Sequence, residues 1–212
     1  MSGKVITVAQ QKGGAGKTTL AAHLALAWSA AGYRVAAIDI DPQGSLSLWH
    51  GIRETAKGSG ATGLTLSTVT GWRTTGEVDR LKRDHDIVLI DSPPHAATDA
   101  KIAIRAAGLV VIPVQPSPLD VWASKPTLEL AASEKVAVLL VLNRVPPRAR
   151  LADDMAAALA EYGATIAKTR IGNRTALAAS MAAGLSIDEM AANTPAAREV
   201  ASLATEILRY AR

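Results

Sequence analysis

The chain has 212 residues, of which 49% are hydrophobic and only 3% aromatic, and it contains no Phe and no Cys. This length fits one α/β domain, residues 1–212, with an interior of aliphatic side chains. The lack of cysteine excludes disulfides, iron–sulfur clusters and thiolate zinc sites, while the net charge of +4 permits a polyanionic partner without indicating one.

Short β-branched runs alternate with alanine-rich helical stretches, a rhythm typical of βαβ units. We therefore expect a mostly parallel, twisted sheet with helices on both faces. The predicted strands are residues 5–9, 35–39, 86–90, 109–113, 136–142 and a less regular piece at 165–171. The predicted helices are residues 17–31, closed by Gly32, then 77–83, 98–106, 119–133, 151–162, 175–183 and 196–210. Residues 55–76, rich in Gly, Thr and Ser, are predicted to be a long surface excursion.

The N-terminal residues lead directly into the first strand and lack the layout of a signal peptide. No apolar run approaches the roughly 18 residues that a membrane-spanning helix requires. We expect a soluble, cytoplasmic protein without a membrane span.

The strongest signal in the chain is a glycine-rich loop between the first strand and the first helix. It reads Gln10-Gln11-Lys12-Gly13-Gly14-Ala15-Gly16-Lys17-Thr18-Thr19. Glycines let backbone N–H groups face phosphate oxygens, and the helix N-terminus adds a positive field. Lys17 is placed to reach the β and γ phosphates, and the Thr18 hydroxyl to bind Mg²⁺. The loop therefore predicts a site for a nucleoside triphosphate.

Carboxylates follow two further strands. Asp39 and Asp41 end the second strand, and Asp91 ends the apolar run that precedes Ser92-Pro93-Pro94. Open parallel sheets bind ligands at the carboxyl ends of their strands, so these acids are expected beside the glycine-rich loop. Because Mg²⁺ prefers oxygen ligands, Asp91 is predicted to hold the metal as a Walker B acid, directly or through water.

Three motifs together resemble the ParA/MinD superfamily of ATPases, and most closely its small ParA-type, ParF-like partition members. Lys12-Gly13-Gly14-x-Gly16-Lys17-Thr18 is similar to their deviant Walker A loop, and the other two motifs are Asp41-Pro42-Gln43-Gly44-Ser45-Leu46-Ser47-Leu48-Trp49 and Pro116-Ser117-Pro118-Leu119-Asp120. The resemblance implies a P-loop NTPase that binds MgATP in a sandwich homodimer and hydrolyses it slowly without a partner.

The resemblance also assigns roles to individual residues. Lys12 would reach the phosphates bound by the partner subunit, as an arginine finger does. Asp41 would orient or activate the attacking water, Asp39 would support the Mg²⁺ shell, and residues from Gly13 to Thr19 would cradle the nucleotide.

The end of the fifth strand resembles the family's adenine site. Asn143 would hydrogen-bond the adenine edge, and the following Arg144-Val145-Pro146 departs from the Asn-Lys-x-Asp of Ras-type GTPases, which favours adenine over guanine. Residues 92–98 resemble a segment that senses the γ phosphate. The single histidine there, His95, is interpreted as a loop residue rather than a catalyst.

The resemblance further implies that ATP-bound dimers bind nucleoid DNA without sequence preference. A ParB-like or other adaptor, often with a basic peptide, would stimulate hydrolysis and release, so that a plasmid, chromosome region or large protein cluster is moved. No N-terminal DNA-reading domain is expected, because the first strand begins at residue 5. Six cations between residues 144 and 174 outnumber three acids, and the predicted DNA-binding residues are Lys168, Arg170 and Arg174.

Three other classes remain as alternatives. A MinD-like membrane ATPase would end in an amphipathic helix with bulky apolar side chains, whereas residues 199–212 have the helical period but few such side chains. A P-loop metabolic ligase of the dethiobiotin synthetase type shares the loop but does not require Lys12 or Asp41. A binding module without hydrolysis would be expected to lack Lys12, Lys17 or Asp41, all of which are present.

Overall fold

The computed structural model describes residues 3–58, 60–94, 97–147 and 150–211. The strands are β1 (Lys4–Val8), β2 (Val35–Asp39), β3 (Thr65–Thr68), β4 (Ile87–Asp91), β5 (Leu109–Val114), β6 (Ala137–Leu142) and β7 (Thr165–Ile166). The helices are α1 (Lys17–Ala30), α2 (Ser45–Lys57), α3 (Arg73–Asp84), α4 (Ala97–Ala106), α5 (Pro118–Ser133), α6 (Arg150–Ala160), α7 (Thr175–Ala182), α8 (Ile187–Ala191) and α9 (Pro195–Tyr210).

The strands form a single sheet in the order β3-β2-β4-β1-β5-β6-β7, and each neighbouring pair is parallel. Strands β2, β4 and β5 are buried along their whole length, because helices cover both faces. Helices α1 and α9 pack on one face through side chains such as Trp28 and Leu203. Helices α3 to α6 cover the other face, where Leu81 and Val121 are buried. The predicted α/β class is confirmed.

Most predicted elements are observed with ends shifted by one or two residues. The predicted end of the first helix is confirmed at Gly32, whose φ is 92°. Its N–H donates to the Ser29 carbonyl, and the N–H of Tyr33 donates to the Trp28 carbonyl, which is a glycine-terminated helix end. The predicted strand at residues 165–171 is too long, since the regular strand β7 ends at Ile166, although Ala167 and Ile171 still donate backbone hydrogen bonds to β6.

The prediction of a surface excursion over residues 55–76 is wrong. This stretch contains the end of α2, all of β3 and the start of α3. Strand β3 lies at the sheet edge and pairs with β2 through backbone hydrogen bonds, while its side chains are exposed or half-buried. An edge strand of this kind carries little hydrophobic signal. Helices α2 and α8 were not predicted.

Within the described residues, no helix combines the length and the apolar character needed to cross a bilayer. The C-terminal helix α9 is amphipathic, and its apolar face is buried against the domain through Val200, Leu203 and Ile207. The indole N–H of Trp28 donates to the Ala204 carbonyl at 2.9 Å. Helix α9 is therefore part of the core.

Candidate nucleotide-binding site

The loop between β1 and α1 requires glycine at two positions. Gly14 and Gly16 have φ angles of 78° and 88°, which L side chains rarely adopt. A Cβ on Gly16 would also lie 2.6 Å from Nδ2 of Asn143. The first backbone N–H groups of α1, which begins at Lys17, are therefore presented at the carboxyl edge of the sheet, as anion sites require.

Two side chains that directly follow β5 and β6, and one from α5, hold the loop in place. Asn143 donates from Nδ2 to the Ala15 carbonyl at 2.8 Å, and Gln115 donates from Nε2 to the Gly14 carbonyl at 3.0 Å. The N–H of Gln11 donates to Oγ1 of Thr127 at 3.4 Å. These contacts fix the loop before any ligand binds, which lowers the entropy cost of binding.

Two adjoining cavities follow the loop. The first, of about 440 Å³, is lined by Gly13 to Thr19 apart from Ala15, and by Asp41, Gln43 and Pro94 among others. The second, of about 230 Å³, is lined by Asn143, by the segment after β7 and by apolar side chains such as Leu20 and Leu177. Gly16, Thr19 and Arg144 line both cavities. A polar cavity joined to an apolar one has the shape that a phosphate chain and a base require.

Thr18 and Asp91 form a group suited to a divalent cation. The Thr18 hydroxyl donates to Oδ2 of Asp91 at 2.7 Å, while Oδ1 is buried without a hydrogen-bond partner among the described residues. Burial raises the pKa of Asp91 to about 7; Asp39 and Asp41 add to this rise, and the Thr18 hydrogen bond and Lys17 oppose it. An unpartnered carboxylate oxygen beside a hydroxyl fits Mg²⁺, which takes oxygen ligands.

No group of three or more His, Asp or Glu within the described residues is arranged to hold a metal by itself. A cation at Thr18 and Asp91 would therefore take its remaining ligands from phosphate and water, as Mg²⁺ commonly does. Lys17 lines the same cavity and is 7% exposed. Burial lowers the pKa of its ammonium group, and the charges of Asp91 and Asp41 oppose that shift. A buried ammonium group favours an anionic ligand.

Asp39 and Asp41 are both buried but occupy different places. Oδ1 of Asp39 accepts the N–H of Asp41 at 3.1 Å, and Oδ2 accepts both the N–H and the hydroxyl of Ser47, at 2.8 and 2.7 Å. Asp39 thus ties the Asp41 turn to the start of α2. Asp41 lines the phosphate-side cavity, where its Oδ1 accepts the N–H of Gln43 at 2.9 Å. Asp41 therefore lines the ligand space, and Asp39 fixes the backbone of Asp41 by accepting its N–H.

Lys12 does not join the other loop residues. It is absent from the lining of both cavities, and its Nζ lies 2.7 Å from Oδ2 of Asp120 in the first turn of α5. The sequence placed Asp120 in a motif but did not predict this contact, because 108 residues separate Lys12 from Asp120. Within one subunit, the ammonium group of Lys12 is therefore held at α5 and does not line the phosphate-side cavity.

The three cations predicted to bind DNA have different surroundings. Lys168 and Arg170 are exposed, and Nη1 of Arg170 lies 2.7 Å from Oδ1 of Asp153. Arg174 forms an ion pair with Glu199 and lines the apolar cavity. Arg174 and Arg144 are cavity residues that sequence reasoning did not place there, although both follow strands that end at the ligand edge. Three predicted features lie outside the described residues. They are the loop residue His95, the centre of the γ-phosphate sensor, and Arg148, which is one of the six cations counted between residues 144 and 174.

This chain is similar to known proteins in sequence and in structure. A family described as the CobQ/CobB/MinD/ParA nucleotide binding domain matches residues 6–187. Maintenance of carboxysome distribution protein A from Halothiobacillus neapolitanus is 31% identical over 214 residues, covering 96% of this chain and 95% of that protein. Protein ParA from Rhizobium radiobacter is 32% identical over 194 residues, covering 88% of this chain and 86% of that protein. The solved structure of a Cyanothece McdA variant with ATP has a TM-score of 0.82 at 20% identity, covering 98% of this chain and 97% of that one. The two proteins have the same fold.

Proposed function

Because the chain belongs to the CobQ/CobB/MinD/ParA family of nucleotide-binding domains, we propose that it is an ATPase of the partition and positioning type. The observation that carries this proposal is the position of Lys12. It belongs to the phosphate loop, yet its ammonium group pairs with Asp120 and does not line the phosphate-side cavity of its own subunit. The site of one subunit therefore lacks this cation, and a second copy of the chain would supply it.

We propose the following division of labour for hydrolysis. The ammonium group of Lys17 and the N-terminus of α1 hold the β and γ phosphates, while Thr18 and Asp91 hold Mg²⁺, which when bound lowers the negative charge of the phosphates. Asp41 orients the attacking water, and Asp39 fixes the Asp41 turn through its own hydrogen bonds. The adenine base occupies the apolar cavity beside Asn143.

We further propose that the ATP-bound homodimer binds nucleoid DNA without sequence preference and that an adaptor protein stimulates hydrolysis and release. The relatives named as ParA and as a carboxysome distribution protein support a cargo that must be moved or spaced. Lys168 and Arg170 offer exposed cations next to β7. Phosphate contacts of this kind need charge on one surface but no base readout.

A MinD-like attachment to membranes is less well supported. The apolar face of α9 is already buried against α1 and the sheet, so inserting that face into a bilayer would first require α9 to leave the core. Such a change would expose several buried aliphatic side chains, each worth about 1.5–3 kcal/mol.

The test is the mass of the purified protein in solution, measured by light scattering with MgATP and with MgADP. We expect a dimer with MgATP only, trapped for longer in Asp41→Ala, and no hydrolysis in Lys17→Ala. Lys12→Ala should fail to hydrolyse ATP, whereas Lys125→Ala, which removes an exposed lysine from α5, should behave as wild type. A wild-type monomer at saturating MgATP that hydrolyses it rapidly would contradict the proposal and favour a metabolic enzyme.

A further inference from the structure

The contact between Lys12 and Asp120 joins an exposed cation to a buried anion. The side chain of Lys12 is 37% exposed, whereas that of Asp120 is only 6% exposed. Ser117 caps α5 and donates its hydroxyl to Oδ2 of Asp120, the same oxygen that accepts from Lys12. The carboxylate is thus fixed by its helix, and the flexible lysine is the partner that can leave.

The loop does not need this ion pair to keep its shape. Gln11, Gly14 and Ala15 are held by three other hydrogen bonds, to Thr127, Gln115 and Asn143. The ion pair instead fixes the position of a single group, the ammonium of Lys12, on the side of α5. The same helix also carries two exposed apolar residues, Leu119 and Trp122, at 66% and 62% exposure.

We propose that Asp120 is a positioning residue that retains the Lys12 side chain within its own subunit until a triphosphate on a second copy competes for it. This inference rests on the proposed function, in which Lys12 acts on the partner's phosphates. Separating the Lys12 ammonium group from Asp120 costs free energy, because the buried carboxylate of Asp120 then loses a charged hydrogen-bond partner. ATP brings more negative charge to the interface than ADP, so it competes for the ammonium more strongly. The ion pair therefore raises the ATP concentration needed for dimerisation and strengthens the distinction between ATP and ADP.

The first experiment tests, in nucleotide-free protein, whether Asp120 retains the Lys12 side chain. Wild type and Asp120→Asn are treated with limiting acetic anhydride, and acetylation of each lysine is followed by mass spectrometry. Lys12 should react about fivefold faster in Asp120→Asn, because no carboxylate holds its amine. The matched control is Glu129→Gln, which removes an exposed carboxylate from the same helix and should leave Lys12 unchanged. Equal Lys12 rates in wild type and Asp120→Asn would overturn the proposal.

The second experiment measures the MgATP concentration at half-maximal dimerisation by light scattering. Asp120→Asn should lower this concentration about fivefold, and Asp120→Glu should restore it toward wild type because it returns the carboxylate. An unchanged or higher concentration in Asp120→Asn would overturn the proposal. Should Asp120→Asn fail to fold, Asp120→Ser also removes the carboxylate while keeping a small polar side chain in the first turn of α5, and it should shift both readouts in the same direction as Asp120→Asn. A wild type that stays monomeric with MgATP would refute the proposed function, while the acetylation rates would still decide whether Asp120 retains Lys12.

Discussion

The Thr18 hydroxyl donates to Oδ2 of Asp91 at 2.7 Å and so joins the start of α1 to the end of β4. Asp91 is 1% exposed, and its second oxygen has no hydrogen-bond partner among the described residues. Ionising such a group is costly, which is why burial raises its pKa to about 7. In the absence of a cation, this carboxylate lowers the stability of the fold at neutral and alkaline pH.

Asp91→Asn should therefore stabilise the nucleotide-free protein above pH 7. Between pH 3.8, the ordinary pKa of the group, and about 7, the folded protein keeps a proton on Asp91 that the unfolded chain releases, so stability falls as pH rises. The variant should be more stable than wild type by roughly 2–4 kcal/mol at pH 8 and nearly equal to it at pH 4. Urea unfolding at the two pH values measures this difference. A constant difference at both pH values would show that the pKa of Asp91 is not raised.

Gly16→Ala should abolish ATP binding, whereas Gly76→Ala on α3 should preserve it. Position 16 combines a φ of 88° with a Cβ placed 2.6 Å from Nδ2 of Asn143, so alanine must distort the loop or displace its support. Position 76 lies outside the loop, has open space around a new Cβ and does not have a positive φ. Binding of a fluorescent ATP analogue, with circular dichroism to confirm folding, measures both variants. Equal affinities would contradict the need for a rigid loop.

Arg53→Met should cost about 3 kcal/mol of stability at pH 7. Arg53 is 3% exposed and donates to both Glu189 oxygens, at 2.7 and 3.0 Å, and to the Gly184 carbonyl at 3.0 Å. It thereby joins α2 to the segment around α8. The control Lys125→Met breaks an exposed pair with Glu129 on α5 and should cost below about 0.5 kcal/mol.

The contribution of this pair should also depend on pH. Burial alone would raise the pKa of Glu189, but hydrogen bonds from Arg53, Ser186 and Lys57 outweigh burial and lower it to about 2. A lowered folded pKa gives stability that is complete above the ordinary value of 4.5 and is lost as pH falls toward 2. The difference between wild type and Arg53→Met in urea unfolding should therefore shrink from pH 7 to pH 3. A difference that grows on acidification would contradict this account.

The sequence was most informative where function restricts local backbone structure. The glycine-rich loop and the acids Asp39, Asp41 and Asp91 follow buried apolar strands, and parallel strands bring their carboxyl ends to one edge. Helix α2 was missed because its inward face contains Arg53 as well as Leu46 and Trp49, while Leu48 and Ile52 are exposed. A helix that buries a charged residue and exposes apolar residues does not show the 3.6-residue period of hydrophobic side chains by which helices are predicted.

Long-range side-chain contacts could not be predicted from the sequence. The Lys12–Asp120 pair spans 108 residues, and nothing near either residue indicates the other. Arg174 looked like part of a basic segment, but its position at the start of α7 turns it toward the apolar cavity and Glu199. Charge patterns report composition along the chain, whereas the fold decides which surface each charge occupies.

The DNA proposal predicts a specific change in salt dependence. Removing phosphate contacts reduces the slope of log K against log salt by about one unit per cation, so Lys168→Ala/Arg170→Ala should weaken DNA binding by the ATP-bound protein and make the slope shallower. The charge-matched control is Lys82→Ala/Arg83→Ala at the end of α3, which packs against β4, β1 and α4. Fluorescence anisotropy with a duplex of arbitrary sequence, from about 50 to 200 mM salt, compares the two. An equal loss of DNA affinity in both variants would indicate a general effect of net charge. A loss of affinity confined to Lys168→Ala/Arg170→Ala would place the DNA on the β7 side.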